Sequence, residues 1–266
     1  MQETSALARA ITMVTDLRAR CPWDRVQTRE TLRPYLVEEL LELDHALGTA
    51  DPSAIREEVS DMLLHLAWQL VIAAERDEFT PDDVADDLEH KMKRRHPHLF
   101  DLGPKEPWER LKQREHQTER GVLDGLPPTL PDLLMAFRLQ ERAASVGFDW
   151  PDAAGPLDKI REELLEVSQC AGTPPGNGEG EGEGEAWRDR LRDEIGDLLF
   201  SVVNLSRKLG VPPGPALDRA NRKFSSRFRG VERLAREREL ELHRMTLAEM
   251  DLLWDEVKRT PLPAQV

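Results

Sequence analysis

Cysteine is scarce in this sequence: Cys21 and Cys170 are the only two in 266 residues. Two thiols cannot build a disulfide framework, and such usage suits a reducing cytoplasm. Long apolar runs are missing too. The longest, Met62 to Ala74, is interrupted by His65 and Gln69 and is too short to cross a bilayer. No apolar segment follows Met1, so no secretory leader is expected. Positive charge is in deficit, with 37 basic residues against 51 acidic ones and a net charge of −14. A duplex-binding protein ordinarily shows a basic surface, so nucleic acid is not expected as the main partner. Local basic clusters remain compatible with a small phosphorylated ligand. Alternating runs of β-branched residues are also lacking, which removes the main signal for strands. The expectation is a soluble, cytoplasmic, all-α protein with no membrane partner.

Helical period is present almost everywhere. The spacing predicts a first helix over about 4–19, broken at Cys21-Pro22-Trp23-Asp24. A second is predicted from about Thr31 to Leu47, with Pro34 in its first turn and Gly48 at its end. Asp51-Pro52 and Thr80-Pro81 start helices that reach about Arg76 and His96. A polar helix is expected over 108–120 and a linker over 121–128. The plan then repeats, with helices over about 130–145 and 156–171, the second preceded by a break at Gly147-Phe148-Asp149-Trp150-Pro151. The segment Gly172 to Glu185 (GTPPGNGEGEGEGE) reads as a mobile loop. Helices to Lys208, over about 215–238 and from the Thr246/Glu249 capping box through Lys258 complete the chain. The expected organisation is one domain over 1–120, a linker over 121–129 and a second domain over 130–266.

The two halves form an internal repeat. Glu38-Glu39-Leu40-Leu41-Glu42 matches Glu162-Glu163-Leu164-Leu165-Glu166. Glu58-Val59-Ser60-Asp61 matches Glu194-Ile195-Gly196-Asp197, and Lys91 with Arg95 matches Lys223 with Arg227. At about 100° per residue, with Glu163 at the origin, Glu166 falls near 300°, and Val167, Ile160 and Leu164 fall near 40°, 60° and 100°. The same phase recurs on the helices carrying Glu194 and Asp197, Glu39 and Glu42, and Glu58 and Asp61. All four helices thus carry their carboxylates at the edge of an apolar face, which is costly unless a cation compensates.

One acidic run on a helix is ordinarily a solvated face. Four in a common phase, followed by a basic pair, favour metal. Carboxylates are hard oxygen ligands suited to Mg²⁺, Mn²⁺ or Ca²⁺, and Mg²⁺ shares its shell with substrate phosphates. Lys223 and Arg227 can neutralise a polyphosphate. A metal-activated water is the natural nucleophile, with a glutamate as base. A di-iron carboxylate bundle needs Glu-x-x-His pairs, and none of the clusters has one. Trp254 has the spacing of a core residue and equally the chemistry to stack on a base.

These motifs resemble the MazG family in its tandem-domain form, within the all-α NTP pyrophosphatase group. The family pattern is EExxE, a spacer, then ExxD. Here 15 residues separate Glu42 from Glu58, and 27 separate Glu166 from Glu194. CPWD at 21–24, RRHPHLF at 94–100, VGFDW at 146–150, GDLLF at 196–200 and Asn221 to Phe228 also match. The resemblance implies hydrolysis of NTPs or dNTPs to the monophosphate and pyrophosphate with Mg²⁺. It also implies a homodimer whose paired helices complete four-helix bundles. By position it makes Glu163, Glu166, Glu194 and Asp197 the catalytic metal ligands, Lys223, Arg227 and Asn221 the phosphate side, and Trp254 a nucleotide contact. A second site would use Glu39, Glu42, Glu58, Asp61, Lys91 and Arg95. It is the less favoured one, because Glu89 stands where the second half has Asn221. The alternatives are a dimeric helical regulator with structural Mg²⁺, and a hydrolase resembling all-α dUTPases or phosphoribosyl-ATP pyrophosphatases.

Overall fold

Capping chemistry sets where the helices start in the computed structural model, which describes residues 5–106, 111, 121–172, 174 and 181–259, apart from the side chains of 181 and 182. Among the described residues there are ten α-helices, two 3-10 turns and no strand. The chain divides into two compact units, the first ending at Lys105 and the second beginning at Glu106. No described helix is long and apolar enough to cross a membrane.

In the first unit, α1 (Ala6–Arg20) opens on the Ser5 hydroxyl, which accepts from the Ala8 amide. A one-turn helix, α2 (Pro22–Arg25), occupies the expected break, because Pro22 pre-sets its first position for helix. Helix α3 (Arg29–Thr49) starts earlier than predicted, since Thr28 and Thr31 cap each other reciprocally. Pro34 is therefore the sixth residue rather than part of the first turn, and its missing N–H forgoes the bond to the Glu30 carbonyl. Gly48 does not end the helix. It runs on to Thr49, and Ala50 takes the left-handed turn with φ of 58°. The Asp51 carboxylate then accepts from the Ser53 amide at 2.9 Å and starts α4 (Pro52–Glu75). With so short a link, α3 and α4 pack as an antiparallel hairpin.

Helix α1 docks on α4 and closes a core of Val14, Leu32, Ala67, Trp68, Val71 and Ile72. Arg18 locks this arrangement. It donates to both carboxylate oxygens of Glu75, at 2.7 and 2.6 Å, and to the Asp24 and Gln27 carbonyls at 2.9 and 3.1 Å. Helix α5 (Pro81–Arg95), capped by Thr80 and Asp83, stops where Pro97 cannot continue it.

The second unit holds α6 (Asp132–Ser145), α7 (Ala154–Gly172), α8 (Glu181–Lys208), α9 (Pro213–Glu237) and α10 (Leu247–Arg259). Helices α7 and α8 pack side by side, and α6 lies on α8, where Gln140 Nε2 donates to the Phe200 carbonyl at 2.8 Å. Helix α8 begins at Glu181, so the last five residues assigned to the Gly/Glu loop are helical. Its early glycines each cost roughly 1 kcal/mol against alanine. Tertiary contact offsets this: Trp187 Nε1 donates to the Cys170 carbonyl at 2.8 Å and ties α8 to the end of α7. Residues 173 and 175–180 of that segment lie outside the described residues, as does the polar helix expected over 108–120 apart from Leu111. Asp149 pairs with Arg207 and Lys208 and holds the predicted break against the end of α8. Helices α9 and α10 close over Val231, Ala235, Leu253 and Val257. The expected Thr246/Glu249 cap is present.

Candidate functional site

The acidic residues of the second unit converge where α7 meets α8. Glu163, Glu166 and Glu194 each offer a carboxylate oxygen, all within 4.8 Å of one another. Glu163 is only 3 % exposed. Burial of a carboxylate demands a partner, and Lys159, one turn earlier on α7, supplies it: Nζ lies 2.6 Å from Glu163 and 3.0 Å from Glu162. That bond holds the Glu163 carboxyl below its ordinary range and raises the Lys159 ammonium. Glu166 is pushed the other way, chiefly by its hydrogen bond with Glu163, then by burial and the charges of Glu163 and Glu194. Asp197 is not part of this group and stands exposed one turn further along α8.

The first unit builds the same kind of cluster from α3 and α4. Glu39, Glu58 and Asp61 bring oxygens within 4.8 Å, all three half-buried. Among the described residues no lysine pairs with them; Tyr35 occupies the position on α3, one turn before Glu39, that Lys159 has on α7. Burial first, and the neighbouring carboxylates second, raise the pKa of Glu39 and of Glu58. Glu42 is outside the trio. With Glu38, Leu41, His45, Thr49 and Glu58 it lines a cavity of about 610 Å³ at the closed end of the hairpin.

The helical phase has a structural counterpart. The residues placed near 40° and 60° are half-buried on all four helices: Leu43, Leu36, Met62, Ile55, Val167, Ile160, Leu198 and Leu191. Those placed near 100°, Leu40, Val59, Leu164 and Ile195, are each between 42 % and 53 % exposed. Both units thus leave the same apolar edge of their acidic hairpin uncovered.

The basic residues of the second unit lie on α9. Asn221 and Lys223 are exposed, while Arg227 is half-buried and its Nε is buried without a hydrogen-bond partner. Trp254 packs on the α9–α10 core, with its ring 5.3 Å from that of Phe224 and the Lys258 ammonium 5.8 Å above it. In the first unit Lys91 and Arg95 are half-buried on α5. The Glu89 charge is met by Lys93, one turn along. Sequence reasoning passed over Lys159, although its i, i+4 spacing to Glu163 is a readable pairing signal. It also passed over Tyr35, whose matching spacing to Glu39 carries no charge.

The donor set fits a hard divalent cation. It is all carboxylate oxygen, it includes a nearly buried member, and it leaves like charges that an added cation would compensate.

Comparison with known proteins agrees with this chemistry. Residues 27–100 match the family model described as the MazG nucleotide pyrophosphohydrolase domain. A Thermotoga maritima protein named nucleoside triphosphate pyrophosphohydrolase/pyrophosphatase MazG is 40 % identical over 242 residues, covering 90 % of this chain and 89 % of its own length. The Escherichia coli K12 nucleoside triphosphate pyrophosphohydrolase is 35 % identical over 268 residues, covering 97 % of this chain and 98 % of its own. YabN of Bacillus subtilis, itself uncharacterised, is 38 % identical over 90 % of this chain and 48 % of its own length. With carboxylate clusters on paired helices, an all-helical architecture and similarity over nearly its whole length, the chain belongs to the MazG family of nucleotide pyrophosphohydrolases.

Proposed function

We propose that the chain hydrolyses nucleoside and deoxynucleoside triphosphates to the monophosphate and pyrophosphate, using Mg²⁺ with Mn²⁺ as a substitute, and that the second unit carries the turnover. The observation behind this reading is the convergence of Glu163, Glu166 and Glu194 across α7 and α8. The names of the relatives supply the reaction class. In this reading those three residues hold the metal, and Asp197, one turn beyond Glu194, completes the set. A divalent cation held there supplies Lewis acidity toward a phosphoryl oxygen and acidifies water. A glutamate at the cluster serves as the base that takes a proton from the attacking water. The unpartnered Arg227 Nε, with Lys223 and Asn221, offers donors to the phosphates. Trp254 contributes an aromatic face and a neighbouring cation for the nucleotide.

Each unit serves in this reading as one copy of the family domain. Homodimerisation is part of it. The uncovered edge of Leu40, Val59, Leu164 and Ile195 is the surface a second copy would bury to complete helical bundles. The cluster of Glu39, Glu58 and Asp61, with Glu42, Lys91 and Arg95, forms a second site of the same type.

The experiment is a panel of NTPs and dNTPs on wild type, Glu58→Ala and Glu194→Ala, with products identified. Glu194→Ala should lose pyrophosphate release, and Glu58→Ala should retain most of it. Pyrophosphate release by Glu194→Ala at the wild-type rate would overturn the assignment and favour a regulator that binds Mg²⁺ structurally. Activity confined to dUTP or to phosphoribosyl-ATP would place the chain with those narrower hydrolases.

A further inference from the structure

We propose that the first unit binds a nucleotide in its own right, with the base held on a shelf formed by Trp23 and Tyr35 and the cation-bearing phosphates directed to Glu39, Glu58 and Asp61. The inference rests on the nucleotide chemistry proposed above and extends it to a shelf built from residues the second unit does not repeat on its paired helices.

The shelf is a consequence of the hairpin. Helices α3 and α4 run antiparallel, so the start of α3 lies beside the later turns of α4. Tyr35 is one turn before Glu39 on α3, while His65 and Trp68 are one and two turns beyond Asp61 on α4. An aromatic layer therefore adjoins the acidic layer on both helices. Trp23, from α2, joins its two sides. Its ring centroid is 6.2 Å from Tyr35, nearly edge-on, and 5.9 Å from Trp68. Trp23 and Tyr35 are 48 % and 45 % exposed, an unusual state for two large rings in contact. Behind them lie two buried polar atoms without hydrogen-bond partners, His65 Nδ1 and Trp68 Nε1, in residues 2 % and 6 % exposed. The His65 and Trp68 rings touch, with centroids 5.2 Å apart. Buried polar groups without partners are costly and rare, and a heteroaromatic base carries both donors and acceptors.

On the paired helices of the second unit the matching positions differ. Under the repeat, Tyr35, His65 and Trp68 become Lys159, Ser201 and Asn204. Lys159 binds Glu163, and Asn204 accepts from Arg207. Each unit has an acidic trio on its helix pair, and the layer one turn beyond it is aromatic in the first and polar in the second. Flat rings beside a cation site recognise a nucleobase attached to phosphates. The first unit also contains the residues that match the nucleotide pyrophosphohydrolase family model. Glu89, the charge that counted against a nucleotide here, is paired with Lys93.

Tyr35 is the only tyrosine in the chain, so 3-fluorotyrosine incorporated throughout gives a single ¹⁹F resonance at the proposed shelf. The probes are α,β-methylene-dATP with Mg²⁺, and inorganic tripolyphosphate with Mg²⁺ as the base-free control. The resonance should shift with the nucleotide in wild type and in Glu194→Ala, and should not shift in Glu58→Gln. Tyr35→Ala and the milder Trp23→Phe should each weaken binding to the first unit about tenfold, read by calorimetry in the Glu194→Ala background. With Glu194 intact, pyrophosphate release by the second unit should stay near wild type for either substitution. An unmoved resonance beside normal pyrophosphate release overturns this proposal alone. Absence of both nucleotide binding and pyrophosphate release overturns the proposed function as well. An equal shift with tripolyphosphate, or one that follows protein concentration rather than nucleotide, also overturns the shelf, in favour of a bare metal site or an interface between copies.

Discussion

Lys159 acts as a tethered cation for Glu163, and replacing it with methionine tests that role quantitatively. Methionine keeps the aliphatic stem and its helix propensity, so the change removes little beyond the ammonium. In the metal-free protein Glu163, whose side chain is 4 % exposed, then loses its partner at 2.6 Å. Breaking a fully buried pair costs about 3–5 kcal/mol. Here the lysine is 38 % exposed and screened by solvent, so the expectation falls to about 1–3 kcal/mol. For a unit of this size that is a drop in Tm of roughly 3–9 °C. A divalent cation bound by Glu163 must displace the ammonium, so the same substitution should tighten Mn²⁺ binding by about 5- to 150-fold. The assay is thermal unfolding of Lys159→Met and wild type in EDTA and in saturating MnCl₂, with Mn²⁺ affinity from electron paramagnetic resonance. The deficit should appear in EDTA and close in Mn²⁺. The control is Arg161→Met, whose pair with Asp158 is exposed on both sides and should change stability by less than about 0.5 kcal/mol. A deficit of the same size with and without Mn²⁺ would refute the competition and leave Lys159 as an ordinary structural ion pair.

Three other perturbations have defined outcomes. Gly230 lies where a Cβ would come within 2.9 Å of Val257 Cγ1. Gly230→Ala should therefore destabilise the α9–α10 packing by about 1–3 kcal/mol, outweighing the roughly 1 kcal/mol gained in helix propensity, with a lower Tm and an altered near-ultraviolet signal from Trp254. Glu39 and Glu58 have raised pKa values in the folded state. Their protonated forms favour folding below the unfolded value of about 4.3, and this contribution is lost as pH rises through the higher folded values. The Tm increment from Mg²⁺ should accordingly be larger near pH 7.5 than near pH 4.5. Glu58→Gln should raise the Tm in EDTA, and a fall instead would contradict the repulsion. Asp149 is held below its ordinary range by Arg207 first, with Lys208 adding to it. That contribution is present above the unfolded value of about 3.9 and lost as pH falls. Asp149→Asn should cost about 1–3 kcal/mol at neutral pH, and the gap to wild type should close on acidification below about pH 4, as read from denaturant midpoints.

Much of this protein is legible along the chain because helices are local objects. Thr28, Asp51, Thr80 and Thr246 cap within three residues of themselves, so their helices start within two residues of the sequence expectation. The errors are also local competitions. The reciprocal Thr28–Thr31 cap moved Pro34 inside α3, and Ala50 took the left-handed turn in place of Gly48. At Glu181 a tertiary bond, from Trp187 to Cys170, carried helix into a segment whose composition reads as loop. The repeat and its phase placed four carboxylate pairs on the inner edges of helices, since 100° per residue needs no knowledge of the partner helix. Which carboxylates meet is a property of how two helices cross. The crossing takes Glu163, Glu166 and Glu194 in one unit and Glu39, Glu58 and Asp61 in the other, leaving out Asp197 and Glu42. Tertiary structure alone buried the Glu163 that Lys159 partners along its own helix, left two carboxyls of the first unit to repel each other, and brought Trp23 from a separate helix onto Tyr35 and Trp68. Sequence determines which side chains share a helical face. The distance between faces, and so the charge balance and shape of each site, is decided only when the helices pack.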